Sequence, residues 1–144
     1  MKRLTAISIC AFFAAACSQQ QDYKTERDQV MKFHDVVMED QGVVVGNQMK
    51  LDSLIKDLRK AKSIRPEIDT LKEKIQMLEL KASLSHAEEQ MNNWMHQFEP
   101  DVSNKSNEDA IVYFKGEKAK IARIDSLYKQ EIKVSNAYLS KFKK

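Results

Sequence analysis

The chain has 144 residues, of which 42% are hydrophobic, and its 24 basic and 21 acidic side chains give a formal charge of +3. This near balance argues against nucleic-acid binding, which favours a strongly basic surface. Only three glycines and two prolines are present, and the chain is rich in Lys, Glu, Leu, Gln and Met, so the composition favours long helices over a sheet.

The N-terminus has the features of a secretory signal. Lys2 and Arg3 precede a short apolar segment, residues 4–16, which is well below the roughly 20 residues of a membrane-spanning helix. Three alanines end this segment and Cys17 follows them directly. The arrangement resembles the lipobox of bacterial lipoproteins, whose cysteine is acylated and becomes the new N-terminus, although Ala14 stands where the lipobox usually has leucine. The alternative is an ordinary signal peptide with an incidental cysteine.

Two consequences follow for the mature chain. Cys10 would leave with the signal peptide, residues 1–16, and acylation of Cys17 would leave no free thiol for a disulfide, a thiolate metal site or a nucleophile. Loss of Lys2 and Arg3 without any acid lowers the formal charge from +3 to +1.

The remainder divides into a tether and one domain. Residues 17–22 are predicted to be the acylated cysteine with a short polar tether, and residues 23–144 a helical domain. The resemblance to lipoproteins favours the outer membrane over the inner one, because Ser18 rather than Asp follows the cysteine, as in many outer-membrane lipoproteins. The domain is expected in the periplasm or at the cell surface.

The first helix is predicted over about residues 23–62. Its apolar positions recur mostly at steps of three and four residues, as on one face of a helix. The stripe, with polar interruptions, contains Val30, His34, Val37, Gln41, Val44, Ile55 and Leu58. Gly42, Gly46 and three valines between them lower helix propensity, so a break there would give four helical segments instead of three. We interpret the spacing of the two glycines as tight packing against the second helix.

The second helix is predicted to begin with Pro66 as its first residue and to end before Pro100. One apolar stripe contains Ile68, Leu71, Ile75 and Leu78. A second stripe, two residues out of phase with the first, contains Leu80, Leu84, Ala87, Met91, Trp94 and Phe98. The phase shift predicts a change of packing partner rather than one strict coiled coil.

The third helix is predicted to follow a polar loop and to begin with a capping box formed by Ser106 and Asp109. Its predicted buried stripe contains Ile111, Phe114, Ile121, Ile124, Tyr128, Ile132, Ser135, Leu139 and Phe142. Short links make the successive helices antiparallel neighbours. We therefore predict an all-α fold, an elongated antiparallel three-helix bundle.

Three segments, one in each predicted helix, carry a resemblance: FHDVVMED (33–40), AEEQMNNWMHQF (87–98) and YFKGEKAKI (113–121). They resemble a family of small helical lipoproteins from Gram-negative bacteria, some of which carry the label viral A-type inclusion protein. The matching positions are His34, Asp35, Met38, Met91, Trp94, Met95, Glu117, Lys118 and Ile121. Many relatives have proline where this chain has Glu39. The resemblance covers nearly the whole mature chain and implies architecture and lipid anchoring, but no activity.

The predicted turns bring these segments to one end of the bundle, close to the tether. A turn around position 64 places His34 level with Trp94, and a second turn near position 103 brings residues 111–114 to the same level. We predict a candidate binding cluster there that contains His34, Asp35, Met38, Met91, Trp94, Met95, His96, Tyr113 and Phe114.

Three interpretations of this cluster stay open. In the first, the cluster is a filled cap of the core, in which the methionines fill gaps and His34 hydrogen-bonds Asp35 or a helix end. In the second, it is a groove for a partner protein, because aromatic and methionine side chains suit apolar contacts. In the third, it binds haem iron or copper, because His and Met side chains ligate both metals. The ligands would come from His34, Met38, Met91, Met95 and His96.

An enzyme is not predicted. His34 beside Asp35 resembles a base with its orienting acid, but adjacent helix positions face about 100° apart. No Gly-x-Ser-x-Gly, His-Glu-x-x-His or phosphate-loop motif is present.

We predict a lipid-anchored protein of the cell envelope that acts through protein contacts, as an adaptor, spacer or assembly partner. A haem or copper carrier is the alternative. The expected partners are the membrane, through the acyl anchor at Cys17, and an envelope protein of unknown identity; neither nucleic acid nor a cofactor is expected.

Overall fold

The computed structural model describes residues 22–142 and shows three helices, with no strand in that range. Helix α1 spans Tyr23–Ile64, α2 spans Thr70–Gln97 and α3 spans Asn107–Ser140. At about 1.5 Å per residue, the 42 residues of α1 extend over roughly 63 Å. The prediction of an all-α, elongated three-helix bundle is confirmed. The predicted signal peptide, Cys17 and nearly all of the tether lie outside the described residues.

Each helix begins at a side-chain cap. Asp22 caps α1 by accepting a hydrogen bond from the backbone N–H of Lys24, and Asp69 caps α2 in the same way. Ser106 Oγ accepts from the backbone N–H of Asp109 at 3.1 Å and donates to the Asp109 carboxylate at 2.8 Å. The predicted pairing of Ser106 with Asp109 at the start of the third helix is therefore confirmed.

Each helix buries one seam that follows a seven-residue repeat, which is the repeat of a coiled coil. The α1 seam repeats at Val30, Val37, Val44, Leu51 and Leu58. The α2 seam contains Met77, Leu80, Leu84, Ala87, Met91 and Trp94. The α3 seam contains Phe114, Glu117, Ile121, Ile124, Tyr128, Ser135 and Tyr138. These seams meet in one continuous core along the bundle.

Helices α1 and α2 run antiparallel. Gln48 of α1 donates a hydrogen bond to Ser85 Oγ of α2 at 3.2 Å. One turn further along α1, Asp52 pairs with Lys81, which lies one turn earlier in α2. The residue numbers of level positions in α1 and α2 therefore add to about 133.

Helices α1 and α3 run parallel to each other. The carboxylate of Glu26 lies 2.6 Å from the ammonium of Lys118 near one end, and Asn47 donates to Ser135 Oγ at 2.9 Å further along. We call the end that holds Tyr23 the tether end and the opposite end the distal end. No helix in the range 22–142 combines the length and apolarity that crossing a membrane requires.

The start of the second helix differs from the prediction. Helix α2 begins at Thr70 rather than at Pro66, because the Asp69 carboxylate accepts hydrogen bonds from the first free backbone N–H groups. The first predicted apolar stripe is also wrong, since Leu71, Ile75 and Leu78 face solvent. With that stripe outside the core, one uninterrupted repeat remains inside, and the predicted change of packing partner does not occur.

The two glycines of α1 do not break the helix or pack closely. Helix α1 is continuous from Tyr23 to Ile64 through both Gly42 and Gly46. A Cβ atom built at either glycine would meet no neighbouring atom within 4 Å. The interpretation of this spacing as tight packing against the second helix is therefore wrong.

Candidate functional site

Six rings gather at the tether end, and we call them the ring cluster: Tyr23, His34, Trp94, Phe98, Tyr113 and Phe114. Phe98 lies at the centre, with its centroid 4.8 Å from Trp94, 6.5 Å from Tyr113 and 6.3 Å from Phe114. Such offset and edge contacts are the favoured geometries of aromatic pairs. The cluster joins all three helices, because α1 contributes Tyr23 and His34.

A buried carboxylate lies below the rings. The indole N–H of Trp94 donates to one carboxylate oxygen of Glu117 at 2.8 Å, and Lys120 donates to the other at 2.7 Å. Glu117 is 5% exposed, so its charge depends on these two donors. The same contact raises the pKa of Lys120.

Tyr113 closes the cluster toward the loop between α2 and α3. Its hydroxyl accepts a hydrogen bond from the backbone N–H of Glu99 at 2.7 Å. Burial is the main cause that raises the pKa of Tyr113, and the charge of Glu117 acts in the same direction. The ammonium of Lys105 lies 5.8 Å from the Tyr113 ring centroid.

The structure brings together only part of the predicted binding cluster. The rings of His34 and Trp94 contact each other, with centroids 6.3 Å apart, as turn counting predicted. Tyr113 and Phe114 join them through Phe98. The tether end is thus packed with rings, of which Trp94 and Phe114 are buried and the other four are half-buried.

The other predicted members lie at different depths. Met91 is enclosed in the core seam, whereas Met38, Met95, His96 and Asp35 are exposed on the surface. The five side chains suggested for haem or copper are therefore spread between core and surface. Among residues 22–142, no three His, Cys, Asp or Glu side chains lie together in a way that could hold a metal ion.

His34 and Asp35 do contact each other. Their Nδ1 and Oδ1 atoms lie 3.1 Å apart, although the residues are adjacent in the helix. The Asp35 side chain is largely in solvent, so this contact lies at the rim of the ring cluster rather than inside it.

Three members of this region were absent from the predicted cluster. Tyr23 stacks on Phe114, Phe98 is central, and Glu117 holds Trp94. Phe98 stood in the predicted stripe and Glu117 in the third family-like segment. A charged residue at a seam position, in step with Phe114, is the signal that could have placed Glu117 inside.

Two apolar stripes lie exposed where α1 packs beside α2, and we call this side of the bundle the α1–α2 face. The α1 stripe contains Met31, Met38 and Val45, which are 37% to 39% exposed. The α2 stripe contains Leu71, Ile75 and Leu78, which are 69%, 48% and 47% exposed. Each stripe follows helical spacing, so its members line up along one side of their helix.

Neighbouring contacts place both stripes on this face. Met31 and Val45 precede by three residues His34 and Gln48, which contact α2. Leu78 precedes by three residues Lys81, which pairs with α1. At the distal end, an open groove of about 410 Å³ between the helices is lined by Ile55, Lys56, Leu58, Arg59, Thr70, Leu71 and Lys74.

No protein-family model, no curated protein and no solved structure matches this chain.

Proposed function

We propose that this chain is a lipid-anchored protein of the bacterial cell envelope that acts through contacts with other proteins. The anchor is the acyl-cysteine predicted at Cys17, and the bundle presents its surface beyond the short tether. Several acyl chains, each contributing about 0.8 kcal/mol per buried methylene, would hold such a protein at a membrane. The outer membrane is favoured, because Ser18 follows the cysteine.

The observation that carries this proposal is the α1–α2 face. Its six exposed Met, Val, Leu and Ile side chains lie in two ordered stripes rather than singly. Ordered apolar surface of this kind is typical of protein–protein contact sites. The ring cluster is consistent with this proposal. Its packed rings indicate a structural cap at the tether end, so the contact surface is assigned to the α1–α2 face instead.

The anchor is tested by fractionation. A Cys17→Ser variant is expected to leave the membrane fraction and appear among soluble proteins, because no acyl chain can be attached. Cys10→Ser is the matched control and should remain with the membrane. Retention of the Cys17→Ser protein in the membrane would contradict lipid anchoring.

The contact surface is tested with a photo-crosslinking amino acid in living cells. A probe at Asn92, which is exposed and lies seven residues after Ser85 on the α1–α2 face, should give a defined protein product. A probe at the adjacent Asn93 is the matched control, because Asn93 instead lines the groove between α2 and α3. Lipid products alone, or equal products from both probes, would count against protein contact through this face.

A further inference from the structure

We propose that the α1–α2 face binds a second copy of this chain, in an antiparallel dimer with two-fold symmetry. The proposal deepens the function above, since a second copy is one kind of protein partner. The α1 stripe occupies the tether half of the face and the α2 stripe its distal half, so the face carries one apolar stripe toward each end.

The centres of the two stripes lie at equal distances from the middle of the face. Gln48 and Ser85 mark the middle, where they are hydrogen-bonded across the two helices. Met38, at the centre of the α1 stripe, lies ten residues from Gln48, and Ile75, at the centre of the α2 stripe, lies ten residues from Ser85. These separations correspond to roughly 15 Å on opposite sides. A two-fold axis through the middle, in the plane of the face, therefore brings Met38 of one copy to the level of Ile75 of the other, and an oblique crossing of the two bundles places them in contact.

The charges of residues 22–99, which comprise α1, α2 and the segments next to them, follow the same symmetry. The tether half, residues 22–48 and 85–99, contains nine acidic and three basic side chains. The distal half, residues 49–84, contains nine basic and six acidic side chains. An antiparallel dimer brings the acidic half of each copy against the basic half of the other, whereas a parallel dimer would bring like charges together.

Particular residues show the complementarity. In the distal half, Lys56, Arg59 and Lys74 line the open groove together with Leu58 and Leu71. In the tether half, Asp35 lies between Met31 and Met38 on the same side of α1 and is largely exposed. The two-fold axis brings Asp35 to within about one helical turn of Lys74 of the second copy. Apolar stripes flanked by opposite charges are typical of paired helices.

The arrangement has a consequence for the anchors. In the dimer the two Tyr23 residues lie at opposite ends, roughly 75 Å apart at 1.5 Å per residue. Two lipid anchors at such a distance would reach a single membrane only if the dimer lay along its surface.

The test is disulfide cross-linking between two differently tagged full-length chains produced in the same cells. One chain carries Met38→Cys and the other Ile75→Cys, and membranes are treated with a mild oxidant. We expect a mixed-tag dimer from this pair and little product from two Met38→Cys chains. Failure of the Met38–Ile75 pair to cross-link, or a Met38–Met38 product of equal yield, would overturn the antiparallel dimer.

The matched control uses α3. Val134 is 45% exposed, close to the 48% of Ile75, but it lines a groove between α2 and α3. A Val134→Cys chain should cross-link to Met38→Cys at least about tenfold less than Ile75→Cys does. Equal yields from the two partners would indicate random collision and would overturn the proposal.

Charge reversal gives a second, independent readout. Asp35→Lys should lower the yield of the Met38–Ile75 cross-link, because it places two ammonium groups together across the dimer. Combining Asp35→Lys with Lys74→Glu should restore the yield, while circular dichroism checks that both variants stay helical. If Lys74→Glu does not restore the yield, Asp35 and Lys74 are not paired across the dimer, and this register is overturned.

The two proposals fail separately. An Asn92 product that contains a different protein, with no Met38–Ile75 cross-link, would overturn the dimer and leave the proposed function standing. Membrane retention of Cys17→Ser would contradict the anchor without touching the dimer.

Discussion

The indole N–H of Trp94 and the carboxylate of Glu117 are joined across the α2–α3 interface at 2.8 Å. Both side chains are about 5% exposed, so neither has water as an adequate substitute partner. The carboxylate also occupies a seam position at which an apolar residue would otherwise stand. This bond therefore holds the orientation of the ring cluster as well as satisfying a buried charge.

Trp94→Phe is expected to lower the free energy of unfolding by about 1–3 kcal/mol, because it leaves one oxygen of a buried carboxylate without its donor. Urea unfolding followed by circular dichroism measures the change. Lys120→Ala is the control and should cost less, because the Lys120 side chain is 58% exposed and its pairing with Glu117 is partly screened. Equal losses from the two variants would contradict the importance of the indole donor.

Met77 and Leu78 are adjacent in α2 but should contribute very differently to the free energy of unfolding. Met77 is fully buried, whereas Leu78 is 47% exposed. Met77→Ala should lower the free energy of unfolding by about 2–5 kcal/mol through a cavity, and Leu78→Ala by less than about 0.5 kcal/mol in dilute protein. Urea unfolding of the two variants tests this assignment. A larger loss at Leu78 would mean that the first predicted stripe does belong to the core.

This pair shows why the architecture was predictable from the sequence but the inner face of α2 was not. Periodicity and capping residues such as Ser106 define three helices without any tertiary information. Leu71, Ile75 and Leu78 repeat with the same period as the true seam, so periodicity alone cannot say which stripe faces inward. The answer depends on register against α1, which is determined by contacts such as that between Asp52 and Lys81.

The candidate site was likewise predictable from the sequence only in part. Counting residues from the predicted turn brought His34 and Trp94 together, because positions at equal distances from the turn approach each other in an antiparallel pair. The role of Glu117 was not predictable in the same way. Its burial depends on how far α3 is rotated about its own axis, and charged residues in helices usually lie in solvent.

Two glycines should be replaceable with a gain in stability. A Cβ atom at Gly46 or Gly116 would meet no neighbour within 4 Å, and neither residue has positive φ. Alanine at either position should raise the free energy of unfolding by about 0.5–1 kcal/mol, since glycine has more conformational entropy to lose in a helix. Thermal unfolding measures the gain. A loss at Gly46 with a gain at Gly116 would indicate close packing of α1 after all.

The core hydroxyl of Tyr128 should be dispensable. Its ring is fully buried in the α3 seam, and within residues 22–142 the hydroxyl oxygen has no hydrogen-bond partner. Tyr128→Phe is therefore expected to stabilise the bundle by about 1 kcal/mol, because it removes a buried polar group that water would satisfy in the unfolded chain. Tyr138→Phe is the contrasting variant, since the Tyr138 hydroxyl donates to Glu73 and its loss should destabilise. Destabilisation by Tyr128→Phe would indicate a bound water that satisfies the hydroxyl.

The same tyrosine predicts how stability depends on alkaline pH. Burial, with a smaller contribution from the charge of Glu88, raises the pKa of Tyr128 from 10 to about 12. Between these values the unfolded chain loses the phenolic proton while the folded chain keeps it, so the free energy of unfolding falls as the pH rises. The loss should approach roughly 2–3 kcal/mol by pH 12, at 1.36 kcal/mol per pH unit. Burial and Glu73 also raise the pKa of Tyr138, so its share of the loss extends to higher pH. Urea unfolding at pH 9 to 12 should therefore show a shallower decline in Tyr128→Phe than in the wild type, and parallel declines would contradict the elevated pKa.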